Sequence, residues 1–227
     1  MIGIIVAMEK EKNALSIENA REEKAGSLTF TLGPIENVPV VVAVCGIGKV
    51  FAAMCAQTMI LRYAPSLLIN CGVAGSLSPK LNVFDIAVGT GAVQYDMDTT
   101  PLGDPPGLIS GLNIVEMPCD KSLTEKLSSC ANALRLGYQE GLIATADRFC
   151  ASAADKEAIL SHFAAVACEM EGGAVAQVAT ANSVPFCLFR AISDCADGSA
   201  PVSYDTFTVK AAENAGKLMH AFLRTLS

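Results

Sequence analysis

The stretch Val166-Ala167-Cys168-Glu169-Met170-Glu171-Gly172-Gly173-Ala174 decides how this chain folds. A short apolar lead-in ends in an acidic doublet with a methionine between its members, and small residues follow to Ala181. The pattern predicts a buried strand that hands two carboxylates to the start of a helix. A helix N-terminus favours negative charge by about 0.3–1 kcal/mol per group. In open α/β sheets, ligands bind beyond the carboxyl ends of the strands. Two readings therefore stand side by side: Glu171 and Met170 grip a ligand, or acidic residues simply open a helix.

The same alternation extends upstream. Ile2 to Ala7 is a short β-branched run that predicts a strand buried on both faces, with Met8-Glu9-Lys10-Glu11 and a short helix to about Ser16 beyond it. Residues 17–26 are polar and read as loop. Leu28–Leu32 and Val38–Val44 read as a hairpin around Gly33-Pro34-Ile35-Glu36-Asn37, which makes the sheet a mixed one. Cys45-Gly46-Ile47-Gly48-Lys49-Val50 leads into a small-residue helix ending near Tyr63. Its glycines let a ligand approach closely or merely turn the chain, and neither the P-loop nor the dinucleotide spacing is present. Leu67–Asn70 predicts a strand ending in a second glycine-bearing loop, Cys71–Ser76, and Asp85–Val88 predicts another strand. Residues 94–112 form the longest irregular stretch, a length that in compact domains marks a functional loop or one that covers an interface.

Nearer the C-terminus, Ser122–Leu134 predicts a helix with Ser122 as its cap and Glu125 three residues on. Tyr138–Thr145 predicts a strand running into Ala146-Asp147-Arg148-Phe149-Cys150, and Asp155–Phe163 a further helix. Pro185–Ile192 predicts a strand that delivers Ser193-Asp194 at its end, and an amphipathic helix from about Tyr204 to Leu226 closes the chain. This order predicts a three-layer α/β/α fold around a central mixed, twisted sheet, with residues 1–227 as one domain.

Composition narrows the function. With 52% hydrophobic and 17% charged residues, the 227-residue chain has ample material for a large core. Sixteen basic against 23 acidic residues leave a net charge of −7, without a Lys/Arg run, which argues against nucleic-acid or anionic-membrane partners. The nine cysteines are odd in number, lack C-x-x-C spacing and sit mostly in apolar runs, so they read as buried hydrophobes. The two histidines, His162 and His220, have no partnered spacing, so neither a zinc site nor a Ser-His-Asp triad is supported. Residues 1–7 lack a basic segment and meet Glu9-Lys10-Glu11-Lys12 at once, reading as a core strand rather than a signal peptide. A cytoplasmic protein without metal or cofactor is expected.

Glu11, Gly48, Gly75, Phe149, Glu171 and Asp194 are each expected near the carboxyl end of a strand. Three carboxylates in one crevice are costly unless they bind hydroxyl groups or do chemistry. Without a basic cradle for phosphate, acid/base work on a neutral, hydroxyl-bearing small molecule fits best.

Gly3-Ile4-Ile5-Val6-Ala7-Met8-Glu9-x-Glu11, Gly46-Ile47-Gly48-Lys49-Val50, Glu169-Met170-Glu171 and Arg190-Ala191-Ile192-Ser193-Asp194 together resemble the bacterial 5′-methylthioadenosine/S-adenosylhomocysteine nucleosidases, within the nucleoside phosphorylase fold family. The motifs occur in order along nearly the whole chain. The resemblance implies hydrolysis of a purine nucleoside's N-glycosidic bond, with adenine released. It implies that Asp194 is the general acid at adenine N7 and Glu11 the base that activates water. Glu171 is implied to accept hydrogen bonds from ribose hydroxyls, and Met170 to pack on ribose and base. Phe149 is implied to stack on adenine, the Cys150 backbone to read the base edge, Ser193 to orient the base or Asp194, and Gly75 to line the ribose side. A homodimer is implied, with the region of residues 94–102 meeting the partner subunit and helping to form the 5′-substituent pocket. Two positions depart from the family pattern: Val73 stands where many members have serine, and residues 94–102 lack the usual histidine. Arg190 is expected to pair with an acidic neighbour, which favours water over phosphate as the nucleophile. Other readings stay open: a hydrolase of another purine nucleoside such as futalosine, a purine nucleoside phosphorylase, or a non-catalytic nucleoside-binding module.

Overall fold

In the computed structural model, residues 1–195 and 200–226 are described, with the backbone alone described for residues 200–206. The chain opens with β1 (Ile2–Val6), a short helix α1 (Glu9–Asn13) and three strands, β2 (Arg21–Ala25), β3 (Leu28–Ile35) and β4 (Val38–Val44). Helix α2 (Lys49–Tyr63) leads to two long strands, β5 (Leu67–Ser76) and β6 (Ile86–Gln94), then β7 (Met117–Pro118). There follow α3 (Lys121–Ala133), β8 (Tyr138–Thr145), α4 (Ala153–Leu160), β9 (Ala165–Glu169), α5 (Gly172–Ala181), β10 (Phe186–Asp194) and α6 (Ala200–Arg224). No described helix is long and apolar enough to cross a membrane.

The ten strands form one mixed sheet between helices, so the three-layer α/β arrangement expected from the sequence is the one observed. Every residue of β1 is buried, because β4 and β5 flank it in parallel and helices cover both faces. Side chains alternate between those faces, as a period of two requires. Ile5 points into a core shared with Ala52, Cys55, Ala56 and Met59 of α2 and Ala174, Val175 and Ala179 of α5. Ile4 and Val6 point the other way, into a core shared with Leu127 and Ala131 of α3 and Leu218, Met219 and Phe222 of α6. Small residues on the facing sides of α2 and α5 let these helices pack closely over the sheet.

The decisive feature is β5. Its first half, Leu67–Asn70, pairs with β1, while Leu68 to Gly75 pairs in parallel with β10 on the other side. Past β1 its end changes neighbour: Gly75 and Ser76 pair antiparallel with Cys168 and Ala167 of β9. With β10 on β6, β6 on β8 and β8 on β9, five strands close into a ring. The sheet forks where β1 gives way to β9, and the fork leaves a crevice.

Several local expectations are corrected. Residues 17–26 are not all loop: Arg21–Ala25 forms the edge strand β2, paired with β3. Its charged residues defend an open edge rather than fill a core, so no apolar signal marked it. The β3–β4 hairpin turns at Glu36 and Asn37, with φ 52° and 63°, rather than over the whole of 33–37. Two successive positive φ values are what a two-residue hairpin turn needs to match strand twist. Cys71–Ser76 is strand, not loop, because β10 and β9 supply its hydrogen-bond partners. Asp120, not Ser122, caps α3, accepting from Leu123 N at 3.1 Å. Gly75, Ser193 and Asp194 lie within strands rather than beyond them.

Candidate active site

The crevice at the fork is a cavity of about 200 Å³. Glu11, Gly75, Phe149, Cys150, Met170, Glu171, Ser193 and Asp194 all line it. Ala7, Met8, Ile47, Val73, Ala74, Arg148, Cys168 and Glu169 complete the wall. The first eight come from five separate parts of the chain, and the closing of the ring brings them together.

Glu11 is held from three directions. Its Oε2 accepts from Ala7 N and Met8 N, both at 2.9 Å, and its Oε1 accepts from Val73 N at 3.0 Å. Gly72 makes this approach possible: a Cβ there would stand 2.5 Å from Oε1. Burial raises the Glu11 pKa, and it outweighs the Arg190 charge and the three backbone donors, which pull the other way. The result is a fixed carboxylate that is readier to take a proton than an exposed glutamate.

Glu171 is the N-cap residue of α5, yet it does not cap its own helix with its side chain. Its Oε1 instead accepts from Gly48 N at 2.8 Å. Gly48 has φ +102°, a conformation that favours glycine, and this turn aims its N–H at Glu171. The Gly46–Gly48 loop thus serves as a strand-to-helix turn that also positions a site residue, while Ile47 faces the cavity. Lys49 N donates to Asp147 Oδ1 at 2.7 Å, and Asp147 N donates to Asp96 Oδ2 at 3.0 Å, tying that turn to the loops after β8 and β6. Burial, reinforced by the charge of Glu169, raises the Glu171 pKa to about 8.

The first carboxylate of the doublet has a different duty, which the sequence did not reveal. Glu169 Oε2 accepts from Glu171 N at 3.0 Å and Gly172 N at 2.7 Å, so it caps α5 in place of Glu171. The same oxygen pairs with Arg190 at 2.5 Å, and Oε1 accepts from Thr145 Oγ1. Arg190, buried in β10, also donates to the carbonyl and the side-chain oxygen of Asn70. The expected pairing of Arg190 with an acidic neighbour is therefore observed. A buried arginine demands such a partner, and that demand was the one sequence signal pointing to Glu169.

Asp194 ends β10 beside Ser193, whose hydroxyl lies 2.9 Å from Asp194 Oδ2 and 3.3 Å from Ala74 O. Both residues are buried. Arg148, the arginine that lines the cavity, is engaged by Asp155 at 2.5 Å. Among the described residues, no group of three or more His, Cys, Asp or Glu side chains is arranged to hold a metal ion. His220 is far from this chemistry by role: its Nδ1 lies 2.8 Å from Glu36 Oε1, against the β3–β4 turn.

Comparison with known proteins agrees with this geometry. The family profile of the phosphorylase superfamily matches residues 1–224. A 5′-methylthioadenosine/S-adenosylhomocysteine nucleosidase of Shewanella sediminis is 35% identical over 228 residues, covering 99% of each chain. The structure of an S-adenosylhomocysteine nucleosidase from Streptococcus pyogenes, in complex with 5-methylthiotubericidin, superposes with a TM-score of 0.96 at 31% identity, covering 100% of this chain and 97% of that one. A futalosine hydrolase structure from Helicobacter pylori superposes with a TM-score of 0.93 at 33% identity, covering 99% and 97%. Matched by the family profile from its first residue to Arg224, and by full-length relatives in both sequence and structure, the chain belongs to the phosphorylase superfamily.

Proposed function

We propose that this chain hydrolyses the N-glycosidic bond of 5′-methylthioadenosine and S-adenosylhomocysteine, releasing adenine. The observation that carries this reading is one cavity lined by three buried carboxyl groups: Glu11 of α1, Asp194 at the end of β10 and Glu171 at the start of α5. Glycoside hydrolysis uses a pair of such groups, one carboxyl protonating the leaving group while the other works on the nucleophile. In this mechanism Asp194 gives a proton to N7, so that adenine departs as a neutral base. Glu11 takes a proton from the water that attacks C1′. Glu171 accepts from the ribose hydroxyls, Met170 packs on the sugar, and Phe149 stacks on the base while the Cys150 backbone reads its edge. Ser193 steadies Asp194 through its hydroxyl, and Gly75 lets the ribose lie against β5.

Water is preferred to phosphate as nucleophile because the basic groups nearby are already taken. Arg190 is paired with Glu169 and Arg148 with Asp155. A second reading, a hydrolase for a futalosine-type nucleoside, draws on the similarity to the Helicobacter pylori enzyme and shares the same two carboxyl groups. An assay for free adenine in phosphate-free buffer, with methylthioadenosine, S-adenosylhomocysteine and adenosine, tests the proposal. Release from both thio-nucleosides is the expected result. A strict need for phosphate would make the chain a phosphorylase, and silence with all three from folded protein would overturn the substrate assignment.

We further propose a homodimer. Val50, Phe51 and Met54 on the first turns of α2, with Ile47 just before it, are all exposed, Val50 at 68%. Leu102, in the long loop, is 82% exposed. Apolar stripes of this kind mark contact with another protein surface. Light scattering at micromolar concentration should give twice the chain mass, and a single-chain mass would refute the dimer.

A further inference from the structure

Helix α2 starts without a cap of its own. Its N-cap residue is Gly48, which has no side chain, and its first turn contains no acidic residue. The first N–H groups of a helix have no partner within it and must find one elsewhere. Two carboxylates from distant parts of the chain supply them. Glu171 Oε1 accepts from Gly48 N at 2.8 Å, and Asp147 Oδ1 accepts from Lys49 N at 2.7 Å. Negative charge is favoured at this end of a helix, so both carboxylates are well placed.

The fit around Asp147 is close. A Cβ on Gly48 would stand 3.0 Å from Asp147 Oδ1, so the carboxylate lies against the glycine. The backbone of Asp147 is fixed in turn: its N donates to Asp96 Oδ2 at 3.0 Å, and Asp96 Oδ1 takes Lys49 Nζ at 2.6 Å. The Lys49–Asp96 pair is partly exposed, and pairs of that kind add little to stability. What the arrangement does is hold geometry. The turn between β4 and α2 has positive φ at Gly46 (91°) and Gly48 (102°), with Ile47 between them in the cavity wall. Two glycines give such a turn little restraint of its own. Asp147 restrains it from outside, at the residue next to the N–H that holds Glu171.

We propose that Asp147 is a positioning residue of the nucleoside site, holding the Gly46–Gly48 turn so that Gly48 N keeps Glu171 in place in the cavity wall. Asp147 does not line the cavity itself, so it acts through Gly48 rather than on the nucleoside. Hydrogen bonds to a sugar hydroxyl strengthen in the transition state of glycoside cleavage, so a displaced Glu171 lowers the rate. A displacement of about 1 Å at such a position can cost about 100-fold.

The effect on turnover rests on the nucleosidase reading, whereas the hold on the turn does not. The test makes Asp147→Ala and Asp147→Asn in the full chain and measures adenine release from methylthioadenosine, thermal unfolding, and hydrogen–deuterium exchange of a peptide spanning residues 46–52. Asp147 is exposed, so alanine leaves no buried hole. Asp147→Ala should lower kcat/KM by about 10–100-fold, with kcat falling more than KM rises. Its Tm should drop by no more than about 8 °C, the loss of one helix cap in a chain of this length. Asp147→Asn keeps an acceptor oxygen for Lys49 N and should stay within about threefold of the parent. In a Glu171→Ala background, adding Asp147→Ala should cost no more than about a further twofold, because residues that act through one another are not additive. The peptide should exchange faster in Asp147→Ala and at the parental rate in Asp147→Asn. Unchanged kcat/KM in Asp147→Ala, an asparagine variant as impaired as the alanine one, or a loss that multiplies with that of Glu171→Ala would overturn the proposal. If the parent chain released no adenine, the nucleosidase reading would be what failed. Exchange would then decide the hold on the turn by itself, and a parental rate in Asp147→Ala would refute it.

Discussion

Asp194→Asn is expected to lower kcat by about 10²–10⁴-fold, the range a positioned general acid supplies. Asparagine has nearly the same shape and can keep its oxygen toward the Ser193 hydroxyl, which lies 2.9 Å from Oδ2. What it cannot do is give up a proton to a leaving base. Binding of the nucleoside and transfer of the proton are thus separated in this variant. An interaction made only in the transition state lowers kcat and kcat/KM alike, whereas one made equally in the ground state appears in KM. The dissociation constant for methylthioadenosine should stay within roughly threefold of the parent value, since uniform binding is untouched. Equilibrium binding and single-turnover adenine release check both halves. A variant that kept near-parental kcat would strip Asp194 of the acid role, and one that lost binding as well would make it a structural residue.

Glu11→Gln should remove a comparable factor, about 10²–10⁴ in kcat, and should also change the pH profile. The base must be ionised to take a proton from water. Burial raises the pKa of Glu11, so the protonated, inactive form gains ground at a higher pH than it would for an exposed glutamate. Activity in the parent should therefore fall as pH is lowered, beginning above the ordinary glutamate range, and the variant should lack that acidic limb. The substitution carries a stability cost as well. Glutamine has a single acceptor oxygen, whereas Glu11 accepts from Ala7 and Met8 on one oxygen and Val73 on the other. One of these buried donors must face an NH₂ group, which costs about 1–3 kcal/mol. Urea unfolding would register that loss independently of turnover. An unchanged acidic limb in a folded Glu11→Gln protein would assign the limb, and the base, to another group.

The two residues of the acidic doublet show how a short motif divides its labour. Glu169 spends its charge on Arg190 and on the N-terminus of α5, so it stabilises the platform from which Glu171 reaches the cavity. Removing one partner of a buried pair leaves an uncompensated charge, so the ion pair acts as an orienting device whatever its net contribution to stability. Glu171, freed from capping its own helix, takes Gly48 N instead. The helix-opening reading of the doublet thus falls to Glu169, while Glu171 is left in the cavity wall.

Much of this protein was legible in one dimension. Ile2–Val6, Val38–Val44 and Pro185–Ile192 announce buried strands because residues covered on both faces are mostly apolar, although β10 runs on through Ser193 and Asp194. The small-residue runs of α2 and α5 announce helices that pack closely. Glu11, Phe149, Glu171 and Asp194 stood out because each was expected near the carboxyl end of a strand, Met170 because it sits between two glutamates, and all of them line the cavity. The composition, too, turned the reading away from nucleic acid and toward a neutral small molecule. Other features had no local signature. The edge strand β2 exists through its hydrogen bonds to β3 rather than through apolar residues of its own. The continuation of β5 to Ser76, and the fork it creates, depend on β9 and β10 arriving in register. The contact of Gly48 with Glu171 spans 123 positions, and that of Val73 with Glu11 spans 62. Local pattern reports how deeply each residue is buried, because burial selects residue type position by position. Which buried groups meet is set by sheet register and ring closure, so the tertiary structure alone decided the partners of Glu11, Glu169 and Arg190.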